Sequence, residues 1–182
     1  IMKGVPEGLN QNLGSWLSSV PYRFWPKVTP DLMYHAARLG LYELIRSGTT
    51  ACADHHYLYH STTSPELEDA VWQAAEELGI RMVLCRGSAT ETGSHEGMIE
   101  HAIKPETIEQ IIDRLDATRK KHHQTGRDAT KKLVVAPTSL IHSSSPESLK
   151  AQATWARSNG LKMNSHLLEV TFDETQARQK YG

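Results

Sequence analysis

The sequence lacks the features that mark secreted and membrane proteins. Its 182 residues include two cysteines, Cys52 and Cys85, which form neither a Cys-x-x-Cys pair nor a disulfide framework. Reduced thiols of this kind are typical of a cytoplasmic protein. No stretch approaches the roughly 20 apolar residues that a membrane-spanning helix needs. The first ten residues, IMKGVPEGLN, lack the apolar core of a signal peptide. We therefore expect a cytoplasmic protein without a membrane partner.

The sequence also lacks a strong charge of either sign. It has 20 basic and 21 acidic residues, for a net charge of −1, and no long run of one sign. This balance gives no electrostatic reason to expect nucleic acid as a partner. Neither a Gly-x-Gly-x-x-Gly motif nor a Gly-x-x-x-x-Gly-Lys loop is present. The two common nucleotide-binding loops are therefore excluded.

Predicted strands and helices alternate from residue 29 to residue 182. The helices begin after Thr29-Pro30, Ser64-Pro65 and Ser145-Pro146, which are favourable helix-starting pairs. The predicted strands are TTACADHHY, IRMVLCRGS, KKLVVAPTS and LKMNSHLL. This alternation predicts an α/β fold with a parallel sheet, either a doubly wound open sheet or a (β/α)8 barrel of the TIM type.

Polar side chains follow each predicted strand, which favours the barrel. Active sites of such barrels lie at the carboxyl ends of the strands. The residues found there are Asp54, His55 and His56, then Arg86 and Ser88, then Thr138, Ser139 and His142, and last His166 and Glu169. The other histidines, such as His35, His95 and His101, lie in polar or helical surroundings and are expected to be solvated.

Four strands cannot close a barrel, and their two open edges would invite aggregation. We therefore expect the chain to be part of a protein more than twice as long and to need the missing part of its own chain. Residues 29–182 are predicted to form a partial barrel. Residues 1–28 are predicted to form a loop or lid, in which Trp16 and Trp25 serve as packing anchors.

The stretch NSHLLE is the sharpest chemical signal. In a strand, Asn164 and His166 face one side and Ser165 faces the other. Glu169 follows His166 by three positions, which suits metal-assisted hydrolysis with the imidazole as metal ligand and the carboxylate as proton carrier. The alternative is a strand-end histidine that only hydrogen-bonds to its neighbours.

Three further residues are candidates for substrate binding. His55 and His56 are adjacent in a predicted strand, so they face opposite sides and cannot hold one metal ion together. They are instead expected to shape the pocket wall. Arg86 offers a rigid fork of donors suited to a heterocycle edge. The alternative for Arg86 is an ion pair with a carboxylate from a loop.

The four stretches SGTTACADHHYLYH, RMVLCRGSATETG, APTSLIHSSSPESL and NSHLLEV resemble the amidohydrolase superfamily. They are most similar to its guanine, 8-oxoguanine and isoxanthopterin deaminases and its triazine-ring hydrolases. The resemblance implies a metal-bearing (β/α)8 barrel beside a small β-sandwich, of which this chain holds about strands two to five with their helices. It also implies that His166 is a metal ligand and Glu169 the proton shuttle. Leu168 departs from the alanine usual before this glutamate.

The resemblance further implies the reaction, the cofactor and the partner. The reaction is deamination of a purine-, pterin- or triazine-like ring, and the cofactor is a divalent metal, with zinc expected and iron as the alternative. The partner is a small heterocyclic substrate, and self-association is possible. The family's His-x-His ligand pair and its later His and Asp ligands are absent from this chain. Two alternatives stay open: a hydrolase with another leaving group, such as chloride from a triazine, and a non-catalytic binding protein derived from the barrel.

Overall fold

The fold is a four-stranded parallel sheet with its helices on one side. The computed structural model describes residues 2–92 and 97–182, so His95 lies outside the described residues. The strands are β1 (Ala51–His56), β2 (Arg81–Ser88), β3 (Lys131–Pro137) and β4 (Lys162–Met163). They pair in the order β1-β2-β3-β4, and all three pairings are parallel.

Within the described residues, seven α-helices connect and flank the strands. They are α1 (Leu13–Leu17), α2 (Pro30–Arg46), α3 (Glu66–Leu78), α4 (Gly97–Glu100), α5 (Ile108–His122), α6 (Pro146–Ser158) and α7 (Thr171–Tyr181). The predicted caps Thr29 and Ser145 accept hydrogen bonds from the backbone N–H groups of Leu32 and Ser148. Helix α3 ends at Gly79, whose φ of 72° is a left-handed value that glycine adopts without strain.

The helices cover the same face of the sheet, as in a barrel. Met82 and Leu84 of β2 pack with residues of α2 and α3 in one buried cluster. Leu133 and Val135 of β3 pack with α5 and α6 in a second cluster. Within the described residues the strand order never reverses, whereas a doubly wound sheet has a reversal that places helices on both faces. The predicted α/β fold, with part of a (β/α)8 barrel, is confirmed.

Strand β4 is shorter than the predicted strand LKMNSHLL, and a capping box sets the start of α5. Strand β4 has only two residues, because Lys162 and Met163 pair with β3 alone, and a separate bridge joins His166 to Ser139. Helix α5 begins at Ile108, because the side chain of Thr107 accepts the N–H of Gln110 and the Gln110 side chain accepts the N–H of Thr107. This capping box fixes the start of the helix.

The N-terminal segment differs from the predicted loop. It consists of α1, a π-helical turn at Ser18–Tyr22 and short 3-10 turns. Asn12 caps α1 by accepting the N–H of Ser15, which stabilises a helix too short to show a helical pattern in the sequence. Trp25 is buried, as predicted for a packing anchor, and stacks on Tyr22 at 5.6 Å between ring centroids.

No helix in the described part of the chain has the length and apolar character needed to cross a membrane.

Candidate active site at the carboxyl ends of the strands

Two histidines from opposite edges of the sheet meet at the rim. His55 lies near the end of β1 and His166 follows β4, and their ring centroids are 4.2 Å apart. The twist of the parallel sheet curls its two edges toward each other at this end. The side chain of Asn164 also turns to this face and donates to Sγ of Cys85 at 3.8 Å. The prediction that Asn164 and His166 share one face therefore agrees with the structure.

A backbone carbonyl fixes the orientation of the His166 ring. Nδ1 of His166 lies 2.7 Å from the carbonyl oxygen of Thr138, which can only accept a hydrogen bond. Nδ1 therefore carries the proton, and the lone pair of the neutral ring is left on Nε2. This is the arrangement found in metal-binding histidines, in which the second ring nitrogen donates to a carbonyl or carboxylate. The donor atom of His166 thus suits a metal ion.

The described residues do not form a complete set of metal ligands. Among residues 2–92 and 97–182, no group of three or more His, Cys, Asp and Glu side chains could hold a metal ion. This agrees with the absence of the His-x-His pair from the sequence.

His55 is a neutral side chain beside the His166 ring. Burial, together with the nearby His166 and His56, lowers the pKa of His55 from 6.5 to about 4. Its Nε2 atom is buried and has no hydrogen-bond partner among the described residues. His55 therefore presents an uncharged ring to the rim, as expected for a residue of the pocket wall.

His56 faces the helical layer instead of the rim. It is buried, and its Nδ1 lies 3.1 Å from the hydroxyl of Tyr59. Burial also lowers the pKa of His56. Because neighbouring side chains of a strand alternate, His55 and His56 point to opposite faces as predicted. The predicted contact between His56 and a substrate at the rim is not supported by this position.

Arg86 is the clearest departure from the sequence prediction. Its side chain is 0% exposed, and it lies beside His56 in the sheet register. Its two terminal nitrogens bind both oxygens of Glu106 at 2.7 Å, and its Nε binds Glu68 at 2.9 Å. The guanidinium also lies over the ring of Tyr59, 4.0 Å from its centroid.

These contacts make Arg86 a structural residue. Burial alone would lower the pKa of Arg86, but the hydrogen bonds and charges of Glu106 and Glu68 raise it overall. Glu106 is also bound by Arg114 at 2.8 Å, so the network ties β2 to α3 and α5. The pairing of Arg86 with carboxylates, which the sequence analysis gave as the alternative, is the arrangement observed.

Glu169 lies in the turn that joins β4 to α7. The residue is exposed, and it follows Leu168, whose φ of 51° is unusual for a residue with a branched side chain. The backbone N–H of Glu169 donates to Oδ2 of Asp173 at 2.6 Å. The turn therefore presents the Glu169 carboxylate to solvent three residues beyond His166.

Asp173 and His142 form a connection that the sequence prediction missed. The carboxylate of Asp173 accepts from the N–H groups of Glu169 and Val170, and its other oxygen lies 2.7 Å from Nε2 of His142. The sequence places an acidic residue in the first turn of a helix, where it can bind free N–H groups. The sequence could therefore have indicated that Asp173 binds backbone N–H groups. It could not have indicated the contact with His142, which lies in the loop after β3.

A large apolar cavity lies beside β1, and His55 and His56 are among its lining residues. Its volume is about 590 Å³, and it is lined by the N-terminal segment, α2 and β1. Trp16, Leu41 and Cys52 are among its lining residues, whereas His166 and Glu169 are not. We therefore assign the candidate chemistry to the rim of the sheet.

Comparison with known proteins places this geometry in a family. Residues 2–182 match a family model described as the amidohydrolase family. The chain is 36% identical over its whole length to an isoxanthopterin deaminase from an unknown prokaryotic organism. It is 32% identical, over 96% of its length, to an 8-oxoguanine deaminase from Pseudomonas aeruginosa. In both cases the chain spans 38% of the relative's length.

A solved structure shows the same fold around a metal. The atrazine chlorohydrolase from Arthrobacter aurescens TC1, crystallised in complex with zinc, superimposes on the whole chain with a TM-score of 0.88 and 25% sequence identity. The chain covers 40% of that structure. The described sheet thus corresponds to part of a larger domain.

Proposed function

Because the chain belongs to the amidohydrolase family, we propose that it is the barrel segment of a metal-dependent hydrolase that deaminates a purine- or pterin-like ring. The observation that carries this proposal is the His166 ring, which is oriented by Thr138 and followed three residues later by Glu169. Two relatives that are more than 30% identical are named as deaminases of such rings, which supports the substrate class.

His166 would hold a divalent metal through Nε2. Zinc is the proposed metal because the related atrazine chlorohydrolase was crystallised with it, and iron is the alternative. Such a metal supplies a nucleophile by lowering the pKa of bound water to about 7. The remaining ligands would come from parts of the protein outside this chain. Thr138 contributes by keeping the proton of His166 on Nδ1.

Glu169 would act as the proton carrier. Its carboxylate would take a proton from the attacking water and deliver it to the ring nitrogen or to the departing amine. A glutamate has the same role in zinc-dependent deaminases of a different fold. Its exposed position in the turn between β4 and α7 leaves its oxygens free to reach a substrate held at the rim.

His55 would form part of the substrate pocket. Its neutral ring can accept or donate one hydrogen bond, so it suits the edge of a heterocycle without adding charge to the site. The N-terminal segment would cover this pocket as a lid. In support, Trp25 packs edge-on against Tyr57, which directly follows β1 at the rim, at 6.1 Å between ring centroids.

A second candidate is a hydrolase of the same family with another leaving group. The similarity to an atrazine chlorohydrolase favours this alternative specifically. Both reactions need an activated water and a proton carrier, so His166 and Glu169 do not separate them. The identity of the leaving group distinguishes the two candidates.

A substrate panel tests the proposal. The full-length protein, loaded with zinc, is incubated with isoxanthopterin, 8-oxoguanine and atrazine, and the release of ammonia and of chloride is measured. Ammonia from either bicyclic ring supports the deaminase. Chloride from atrazine without ammonia supports the second candidate, and release of neither would contradict both.

A further inference from the structure

The turn that carries Glu169 needs an external support. Leu168 adopts a left-handed φ of 51°, a conformation that costs free energy in a residue with a side chain. Glu169 is itself exposed and therefore gains little from packing. A carboxylate that moves protons must nevertheless stay close to its target, since a displacement of about 1 Å can cost about 100-fold in rate.

Asp173 provides that support from within the first turn of α7. Its side chain is only 5% exposed, and its Oδ2 atom binds the N–H groups of Glu169 at 2.6 Å and Val170 at 3.2 Å. Burial raises the pKa of Asp173, but the hydrogen bonds from His142 and from these two N–H groups lower it overall. Asp173 is therefore a buried carboxylate that binds the backbone of Glu169, the proposed proton carrier.

His142 holds Asp173 in turn. Its Nε2 lies 2.7 Å from Oδ1 of Asp173, and its ring stacks on Phe172 with an angle of 3° between the planes. The loop from Thr138 to Ser144 that carries His142 also supplies the carbonyl that orients His166. One loop is thus connected to both the metal-binding ring and the backbone of Glu169.

We propose that Asp173, held by His142, is a positioning residue that sets the place of the Glu169 carboxylate in the reaction. The proposal rests on the proposed function, in which Glu169 moves the proton. Sequence position alone makes Asp173 a helix cap, which would affect only stability. The hydrogen bond to His142 also fixes Asp173 to the loop that contacts His166 at the rim.

Kinetics of the full-length zinc enzyme with isoxanthopterin test this proposal. Asp173→Asn and His142→Ala should each lower kcat by about 10- to 100-fold, because the carboxylate of Glu169 is no longer held in place. KM and bound zinc should stay close to wild type. His142→Gln, whose amide can reach Asp173 in place of Nε2, should restore most of the lost kcat.

Lys180→Met is the matched control for helix docking. Lys180 ties α7 to the same loop through the carbonyls of Ile141 and Ser144 but does not contact the backbone of Glu169. This variant should lower thermal stability as much as Asp173→Asn does, while kcat stays near wild type. An equal loss of kcat in Lys180→Met would mean that docking of α7, and not Asp173, is responsible.

Two further measurements separate failure of this inference from failure of the proposed function. Hydrogen exchange of the Glu169 and Val170 amides needs no substrate, and it should become faster in Asp173→Asn; unchanged exchange would overturn the positioning role. In a Glu169→Gln background, Asp173→Asn should lower kcat no further. An equal loss in both backgrounds would also overturn it, whereas an active Glu169→Gln enzyme would refute the proposed function itself.

Discussion

Replacing Arg86 by methionine should destabilise the fold and leave the chemistry intact. The methionine side chain fills much of the same volume but has no charge. Glu68 and Glu106 would remain buried, with exposed fractions of 4% and 0%, and would lose the cation that lies between them. Glu106 would keep Arg114, whereas Glu68 would keep, among the described residues, only the hydroxyl of Thr118.

The magnitude follows from this loss of partners. Removing one member of a buried ion pair typically costs about 3–5 kcal/mol, because a buried charge is left uncompensated. We expect a loss in this range for Arg86→Met. Adding Glu68→Gln to that variant removes the charge with the fewest remaining partners, so the double variant should recover part of the lost free energy.

Urea unfolding of the full-length protein measures the effect, and Arg178→Met is the control. Arg178 is 75% exposed and pairs with Glu174 on the surface of α7, so its loss should cost about 1 kcal/mol or less. Folded Arg86→Met enzyme should retain its KM. If Arg86→Met were as stable as Arg178→Met but had a much weaker kcat/KM, Arg86 would contact the substrate and the structural role would be refuted.

Two other predictions concern the rim. His166→Ala should lower the zinc bound per full-length chain after dialysis, and unchanged zinc in a folded variant would remove His166 from the metal centre. His55 binds its proton with a pKa of about 4 in the folded protein but about 6.5 in an unfolded chain. The unfolded state therefore binds more protons between these values, so the stability of the metal-free protein should fall as the pH drops from about 6.5 to about 4. The stability of the His55→Phe variant should fall less steeply over this pH range. An identical dependence of stability on pH in both proteins would contradict the shifted pKa of His55.

The fold could be predicted from the sequence because local signals agreed with one another. The Thr29 and Ser145 caps, the proline after each and the apolar strands all point to the same alternation. The choice between a barrel and an open sheet depended on the polar residues at the carboxyl ends of the strands, and this pattern correctly indicated the barrel. The short N-terminal helical turns gave no such signal, because they have fewer residues than a helical pattern needs.

The site was harder to predict because its contacts join distant residues. Arg86 and Glu106 are 20 residues apart, and His142 and Asp173 are 31 apart. The face of Arg86 could have been predicted from the sequence, because residues 82, 84 and 86 share one side of the strand and Met82 and Leu84 pack against the helices. The pairing of Arg86 with Glu106, in the loop before α5, could not have been predicted, because no local sequence pattern connects these two residues.

The most direct test of the account is the turnover of Glu169→Gln in the full-length zinc enzyme. Glutamine keeps the shape of the side chain but cannot carry the proton. A positioned proton carrier typically contributes about 10²- to 10⁴-fold in rate. We therefore predict a loss of kcat on isoxanthopterin in this range or beyond it, with bound zinc and thermal stability near wild type. Turnover close to wild type would place the proton carrier elsewhere, and loss of zinc would make Glu169 a metal ligand instead.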